Sequence, residues 1–270
     1  MTRLISSWVS PMLDGMSAYN EALKRKIGVD LRGLTEDVFD TDESGMQKAA
    51  ENTLVGVVPI TQGEGIIGDF CDAVAAIVRS MGFKAIVTEE TDINGIYEAQ
   101  AKGCNVLFFA DDIRYLALNI GSRKAADNNL CTVRGYIAVL DKLMKKHGKN
   151  MKNEEILILG YGILGKEATK LLSGMNVKFS IYDKNKDLFT GTGFNILDKK
   201  DKIKNYSFIL DFTNEGGWLS EEDLARDVLY ASPGVPCSLD KNSKKVFSES
   251  AIYDNLEIGT AIMLGMAVLT

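Results

Sequence analysis

The chain has 270 residues, 46% apolar and 25% charged, enough for two domains that each bury a full core. A formal net charge of −6 with no basic block argues against a nucleic-acid partner. No segment reaches the roughly 18 continuous apolar residues that a membrane span requires, so no membrane partner is expected.

The first residues lack a charged region followed by an apolar one, so no signal peptide is expected. Cys71, Cys104, Cys131 and Cys237 are scattered with no C-x-x-C, the usage of reduced thiols in a cytoplasmic protein. The one histidine, His147, lies in the basic stretch "KLMKKHGKNMK" (142–152), which reads as a solvated helix end and linker. No metal site is expected.

In chain order, residues 1–50 read as helical. Met12, Met16, Tyr19 and Leu23 recur at helical spacing from Pro11 to Lys26. "LVGVVPI" is then a strand, Gly68 to Met81 an apolar helix, "KAIVTE" a strand, Asn94 to Lys102 a helix, and "NVLFFADD" and "YLALNI" strands. Ala125 to Lys146 reads as one long helix, with Val133, Tyr136, Ile137 and Leu140 on one face. The second half repeats the alternation. "EEILILG" is a strand, Leu164 to Ser173 a helix, and "VKFSIYD", "YSFILDFT" and "DVLYASPG" are strands. Such alternation predicts an α/β protein with helix-covered parallel sheets in two domains, 1–150 and 151–270. The apolar helix from Ile258 to Leu269 is expected to pack back on the first domain. Two such domains normally enclose a cleft, with ligands at the carboxyl ends of its strands.

Two segments spell G-x-G-x-x-G. In "ILILGYGILGKEATKLL", Gly160 follows the apolar strand directly, Gly162 permits close approach of a pyrophosphate, and Gly165 permits the helix to pack on the strand. Tyr161, Ile163 and Leu164 complete the loop, whose helix N-terminus offers free N–H groups to phosphates. The next strand ends at Asp183, placed to accept both ribose hydroxyls and to repel a 2′-phosphate. NAD rather than NADP is therefore favoured, with a plain glycine turn as the alternative. Thr213 and Asn214 of "DFTN" and Pro233 and Gly234 of "SPGVP" end later strands and should line the nicotinamide end.

The other copy, "VVPITQGEGIIGDF", fits a nucleotide poorly. Thr61 and Gln62 lengthen the turn, and Glu64 would put negative charge in a phosphate cradle. This loop, with Gly63 and Ile67, is better suited to face the cleft and address a small polar substrate. The alternative is a turn that needs glycine for positive φ. Ala110, Asp111 and Asp112 end the strand "NVLFF", where adjacent carboxylates suit a substrate ammonium group or else cap a turn. Asn119 ends the next strand and is expected to point the same way.

"VGVVPIT", "GIIGDF" ahead of an "AVAAI" helix, "FFADD", the "ALN" run and "GYGILG" together resemble the PylD family, the dehydrogenases of pyrrolysine biosynthesis. The likeness spans Val55 to Thr270, and the Val55–Phe70 and Phe108–Asn119 stretches are far more specific than the glycine fingerprint. It implies a helical N-terminus, a small α/β substrate domain and a C-terminal Rossmann NAD-binding domain in a homodimer. It also implies NAD-dependent oxidation of the terminal amine of 3-methyl-D-ornithyl-N6-L-lysine, a dipeptide-like amine, whose imine or semialdehyde closes to the pyrroline ring of L-pyrrolysine. Leu4 and Ile5, the Thr61 loop and Ala110–Asp112 would meet the substrate, and no residue is assigned as general base. Two rivals stand beside this reading: another amino-acid or hydroxy-acid dehydrogenase of the same architecture, and a non-catalytic NAD-binding module.

Overall fold

A computed structural model describes residues 4–189 and 193–270. The chain divides into two compact units. The first takes residues up to Lys24, Val29–Gly135 and Asn255–Thr270, and the second Arg25–Gly28 and Tyr136–Asp254. The division therefore falls inside the long helix and not at residue 150.

Four helices open the chain: α1 (Ser6–Val9), α2 (Met12–Ile27), α3 (Leu31–Val38) and α4 (Glu43–Glu51). Asp30 and Asp42 stop the chain from running on as one helix. Each sits extended at an N-cap and accepts an N–H three residues on, from Gly33 and Gly45. The sheet of the first unit follows, with β1 (Leu54–Val57), β2 (Lys84–Val87), β3 (Val106–Ala110), β4 (Tyr115–Asn119) and β5 (Lys124–Asp127), in the order β2-β1-β3-β4-β5. Helices α5 (Phe70–Ser80) and α6 (Asp92–Ala101) connect its parallel strands.

This sheet is mixed, which corrects the expectation of a wholly parallel one. β4 runs antiparallel to both β3 and β5 because only tight turns join them, and a parallel return needs a crossover of a dozen or more residues. The expected helix from Ala125 is corrected too. Lys124–Asp127 pairs with β4 as the edge strand, and helix α7 (Asn128–Lys146) starts only at Asn128. Likewise α5 begins at Phe70, because Asp69 takes a left-handed turn (φ 63°) after the glycine loop.

The C-terminal helix, Glu257–Leu269, belongs to the first unit. It is buried on nearly every side, against α3, α5, β4 and β5. Small residues let it sit so close. A Cβ at Gly135 of α7 would strike the Ile258 side chain, and one at Gly265 would strike Thr35 and Phe39. Buried Tyr115 ties its hydroxyl to Thr260 at 2.9 Å.

The second unit holds β6 (Glu155–Leu159), α8 (Ile163–Gly174), β7 (Lys178–Tyr182), β8 (Asn195–Ile196), β9 (Phe208–Asp211), β10 (Leu229–Ser232), α9 (Lys241–Val246) and β11 (Ala251–Tyr253). All six strands are parallel, in the order β11-β10-β9-β6-β7-β8. Numbered within the unit, that is the 3-2-1-4-5-6 order of the Rossmann fold, whose direction reverses between β6 and β9. Central β6 is fully buried from Ile156 to Leu159, so its run is continuously apolar rather than alternating. The short strands β8 and β11 have no clear pattern in the sequence.

Candidate functional site

In the second unit, the switch point between β6 and β9 brings two loops together. Gly160 leaves β6 at φ 85°, and a Cβ there would press on Phe212 and Thr213 after β9, at 3.0 Å. Gly165 is equally confined, since a Cβ would collide with the carbonyl oxygen of Gly160, so helix α8 packs hard on the turn. Gly162 differs. It is the exposed N-cap of α8, and a Cβ there would meet nothing within 4 Å. The space in front of it is where a phosphate would reach the free N–H groups of the helix. Ile163 lies exposed beside it, while Tyr161 is buried and stacks on Phe189 at 5.3 Å.

Asp183 follows β7 at the same end. Its Oδ2 accepts the Tyr161 N–H at 2.7 Å and its Oδ1 accepts the Asn185 N–H at 2.8 Å. A carboxylate has about four lone-pair sites, so each oxygen can still accept a ribose hydroxyl. Lys184 and Lys186, which come next, are engaged with Glu215 and with the Leu197 carbonyl.

The loops after β9 and β10 are joined by a buried polar network. Asp211, wholly buried, accepts from the Thr213 N–H (2.8 Å), the Thr213 hydroxyl (2.7 Å) and the Tyr230 hydroxyl (2.7 Å). Burial pushes the Asp211 carboxyl above its usual range, and the hydrogen bonds donated to it oppose that shift. Thr213 also meets Ser238 at 2.7 Å and accepts from Trp218 Nε1 at 3.3 Å. Ser232 donates to the Asp211 carbonyl and accepts from the Gly234 N–H, and Gly234 abuts the Thr213 carbonyl. Thr213, Pro233 and Gly234 thus lie on two loops bound to each other, with Asn214 exposed next to Thr213.

In the first unit, the Thr61–Asp69 loop follows β1 and is anchored at three points. Thr61 gives its N–H (2.8 Å) and hydroxyl (2.6 Å) to Asp92 at the start of α6. Asp112 lies directly against Gly63 and accepts the Glu64 N–H at 2.7 Å. Ser10, just after α1, donates to Asp69 at 2.6 Å, and a Cβ at Gly68 would meet the Ser6 hydroxyl at 2.8 Å. The segment that begins with Leu4 and Ile5 is thereby held beside this loop. Gln62, Glu64 and Ile5 are exposed, and Ile67 and Leu4 half-buried.

Asp111 builds the β3–β4 turn, its Oδ1 accepting the Ile113 and Arg114 N–H groups at 2.8 and 2.7 Å. Both bonds use Oδ1, and no hydrogen bond to Oδ2 is made by the described residues. Asn119 is a correction. Because β4 runs antiparallel to β3, Ala110 faces Tyr115 and Asn119 faces Val106, at the opposite end of the sheet from Asp111. Its side chain is spent on the Ala267 carbonyl and the Ser122 N–H. The structure adds Asp92 and Trp218, which sequence reasoning passed over, and gives Asp211 a buried role that its place in "DFTN" alone does not specify. Asp211 heads the quoted "DFTN" and could have been noticed there, as an acid still inside an apolar strand.

No helix among the described residues is long and apolar enough to cross a membrane, and these residues hold no cluster of three or more metal-ligating side chains.

Two bifunctional or shikimate-pathway dehydrogenase structures are similar in outline. They are the methylenetetrahydrofolate dehydrogenase/cyclohydrolase of Thermoplasma acidophilum (12% identity, TM-score 0.49, 95% of this chain and 97% of that one) and the shikimate dehydrogenase of Aquifex aeolicus (13%, 0.47, 77% and 88%). Sequence relatives are more informative. The pyrrolysine synthase of Methanosarcina barkeri is 28% identical over 249 residues, 91% of this chain and 90% of that protein. That of Methanosarcina acetivorans is 29% identical over 249 residues, 91% of each. Residues 9–126 match the family model "Pyrrolysine biosynthesis protein PylD, N-terminal domain". That match covers the anchored Thr61 loop and the Asp111–Asp112 turn, and the two relatives carry the likeness to PylD-type pyrrolysine biosynthesis proteins over most of the remaining chain.

Proposed function

We propose that this chain oxidises the terminal amine of 3-methyl-D-ornithyl-N6-L-lysine with NAD, the product closing to the pyrroline ring of L-pyrrolysine. The observation that carries the cofactor reading is the loop from Gly160 to Gly165. Two of its glycines are demanded by neighbouring backbone, while Gly162 faces open space at a helix N-terminus. The engaged Lys184 and Lys186 support NAD over NADP, since neither stands ready for a 2′-phosphate.

NAD, when bound, accepts the hydride. The Gly160–Gly165 loop and the α8 N-terminus would hold its pyrophosphate, Asp183 its ribose, and Thr213, Asn214, Pro233 and Gly234 its nicotinamide end. Leu4, Ile5, Thr61, Gln62, Gly63, Glu64, Ile67, Ala110, Asp111 and Asp112 would receive the substrate, the free oxygen of Asp111 taking an ammonium group.

The chemistry asks little of side chains as acids or bases. A primary amine with a pKa near 10.4 must lose a proton before its carbon gives up hydride, which costs roughly 4–5 kcal/mol at neutral pH. Burial lowers that cost, and water can carry the proton. The second amine of the substrate then attacks the oxidised carbon, and the first nitrogen leaves as ammonia. Tethering makes this step fast without further help. The protein's task is to orient one amine and exclude the others.

The test is direct. Incubation of the protein with NAD and 3-methylornithyl-lysine is expected to yield NADH and a product with the mass of pyrrolysine. NADH formation from simple amino acids or hydroxy acids but not from this compound would sink the reading, and binding of NAD without turnover of any amine would leave only a binding module.

A further inference from the structure

We propose that Asp211 is a positioning residue for the cofactor's nicotinamide end, holding the loops after β9 and β10 in one arrangement before any ligand arrives. The proposal rests on the cofactor reading above and names how that site is kept in shape.

The geometry begins with an acceptor. An ionised carboxylate can only accept hydrogen bonds, so every neighbouring hydroxyl must turn its proton toward it. Asp211 is wholly buried, and several donors converge on it: the Thr213 N–H and hydroxyl on Oδ1, the Tyr230 hydroxyl on Oδ2, and the Ser238 hydroxyl. With its proton committed to Asp211, the Thr213 hydroxyl is left to accept, and Trp218 Nε1 (3.3 Å) and Ser238 (2.7 Å) supply its partners. Ser238 reaches both Thr213 and Asp211, so the three side chains close one network around the carboxylate.

The backbone joins in. Ser232 reaches from the end of β10 to the Asp211 carbonyl at 2.8 Å and receives the Gly234 N–H at 2.9 Å. A Cβ at Gly234 would lie 2.6 Å from the Thr213 carbonyl oxygen, so the two loops touch main chain to main chain. A solvent-facing core would not need this: an apolar residue would fill the space of Asp211 without the cost of burying a charge. What the carboxylate adds is direction. It fixes where the Thr213 and Gly234 backbones lie, and with them the surface that Thr213, Asn214, Pro233 and Gly234 present.

The experiment compares NAD with ADP-ribose, which lacks the nicotinamide, on the full chain. Wild type is expected to bind NAD more tightly than ADP-ribose. In Asp211→Asn that preference should shrink by about tenfold, the value of one charged hydrogen bond, with ADP-ribose affinity unchanged. Tyr230→Phe removes one donor and keeps the carboxylate, so it should show the same selective loss in smaller measure, and it serves if Asp211→Asn does not fold. A merely structural residue would weaken both ligands alike or neither. An unchanged preference in Tyr230→Phe and Asp211→Asn overturns the proposal, as does equal loss of both ligands. Failure of wild type to bind either ligand would instead overturn the cofactor reading itself.

Discussion

The loops after β1 and β6 carry the same glycine spacing and use it in different ways. After β6, the strand passes into the turn at once, Gly160 and Gly165 are pinned by backbone, and Gly162 is left open at the first turn of a long helix. After β1, five residues from Val58 to Gln62 intervene, and the glycines are followed by a left-handed Asp69 before α5 begins. Here Gly63, at φ 85°, makes room for the Asp112 carboxylate rather than for a phosphate. The spacing specifies that backbone comes close to something. What it comes close to is decided by residues far away in sequence.

The sharpest way to break this contrast is to add bulk to each loop. Gly162→Val should lower NAD affinity by more than ~100-fold, a penalty of about 3 kcal/mol or more, with the melting temperature nearly unchanged because a Cβ there meets no protein atom within 4 Å. Gly63→Val should do the reverse, disturbing the first loop through its positive φ and the clash with Asp112 while NAD affinity holds. Calorimetry with NAD on both variants decides it. Normal NAD binding by Gly162→Val would return the first loop as the nucleotide site.

Next in size is Asp111→Asn. The amide keeps the oxygen that caps the β3–β4 turn and loses the charge, so kcat/KM for the amine should fall by roughly 10- to 150-fold, the range for a charged hydrogen bond. NAD affinity should stay, and so should the melting temperature. Asn119→Ala is the matched control from the other end of the same sheet, expected to leave kinetics alone. Full activity in Asp111→Asn would reduce Asp111 to a turn cap.

The smallest expected change is in cofactor choice. Asp183→Ala removes the ribose acceptor and the partner of the Tyr161 N–H. NAD should bind about tenfold more weakly, the order of a charged hydrogen bond, and discrimination against NADP should relax. Equal affinities for both cofactors before and after the change would assign the ribose to another residue.

Much of this molecule is legible in its residue order where the signal is local. β6 announces itself by four apolar residues before Gly160, and α2 by its helical spacing. The failures share one cause, which is pairing across the chain. Lys124–Ala125–Ala126–Asp127 has no strand character of its own and becomes one because β4 lies beside it. Asn119 was misplaced because strand direction is set by the length of the β3–β4 turn, not by the strand itself. The candidate site follows the same rule. Gly160, Gly162 and Gly165 stand in one short window, whereas the Thr61–Asp92 and Glu64–Asp112 contacts and the Asp211 network join residues that composition and spacing do not relate.

The C-terminal helix has a consequence for how the chain is made. Residues 257–269 leave the ribosome after the whole of the second unit, yet they fill the interior of the first. The first unit's sheet is synthesised early and must wait with Tyr115, α3 and α5 unroofed while the second unit, nearly continuous in sequence, emerges and folds. During that interval its apolar face is open to chaperones and to other nascent chains. A chain released after Leu256 should therefore show a protease-resistant second unit and a protease-sensitive first one.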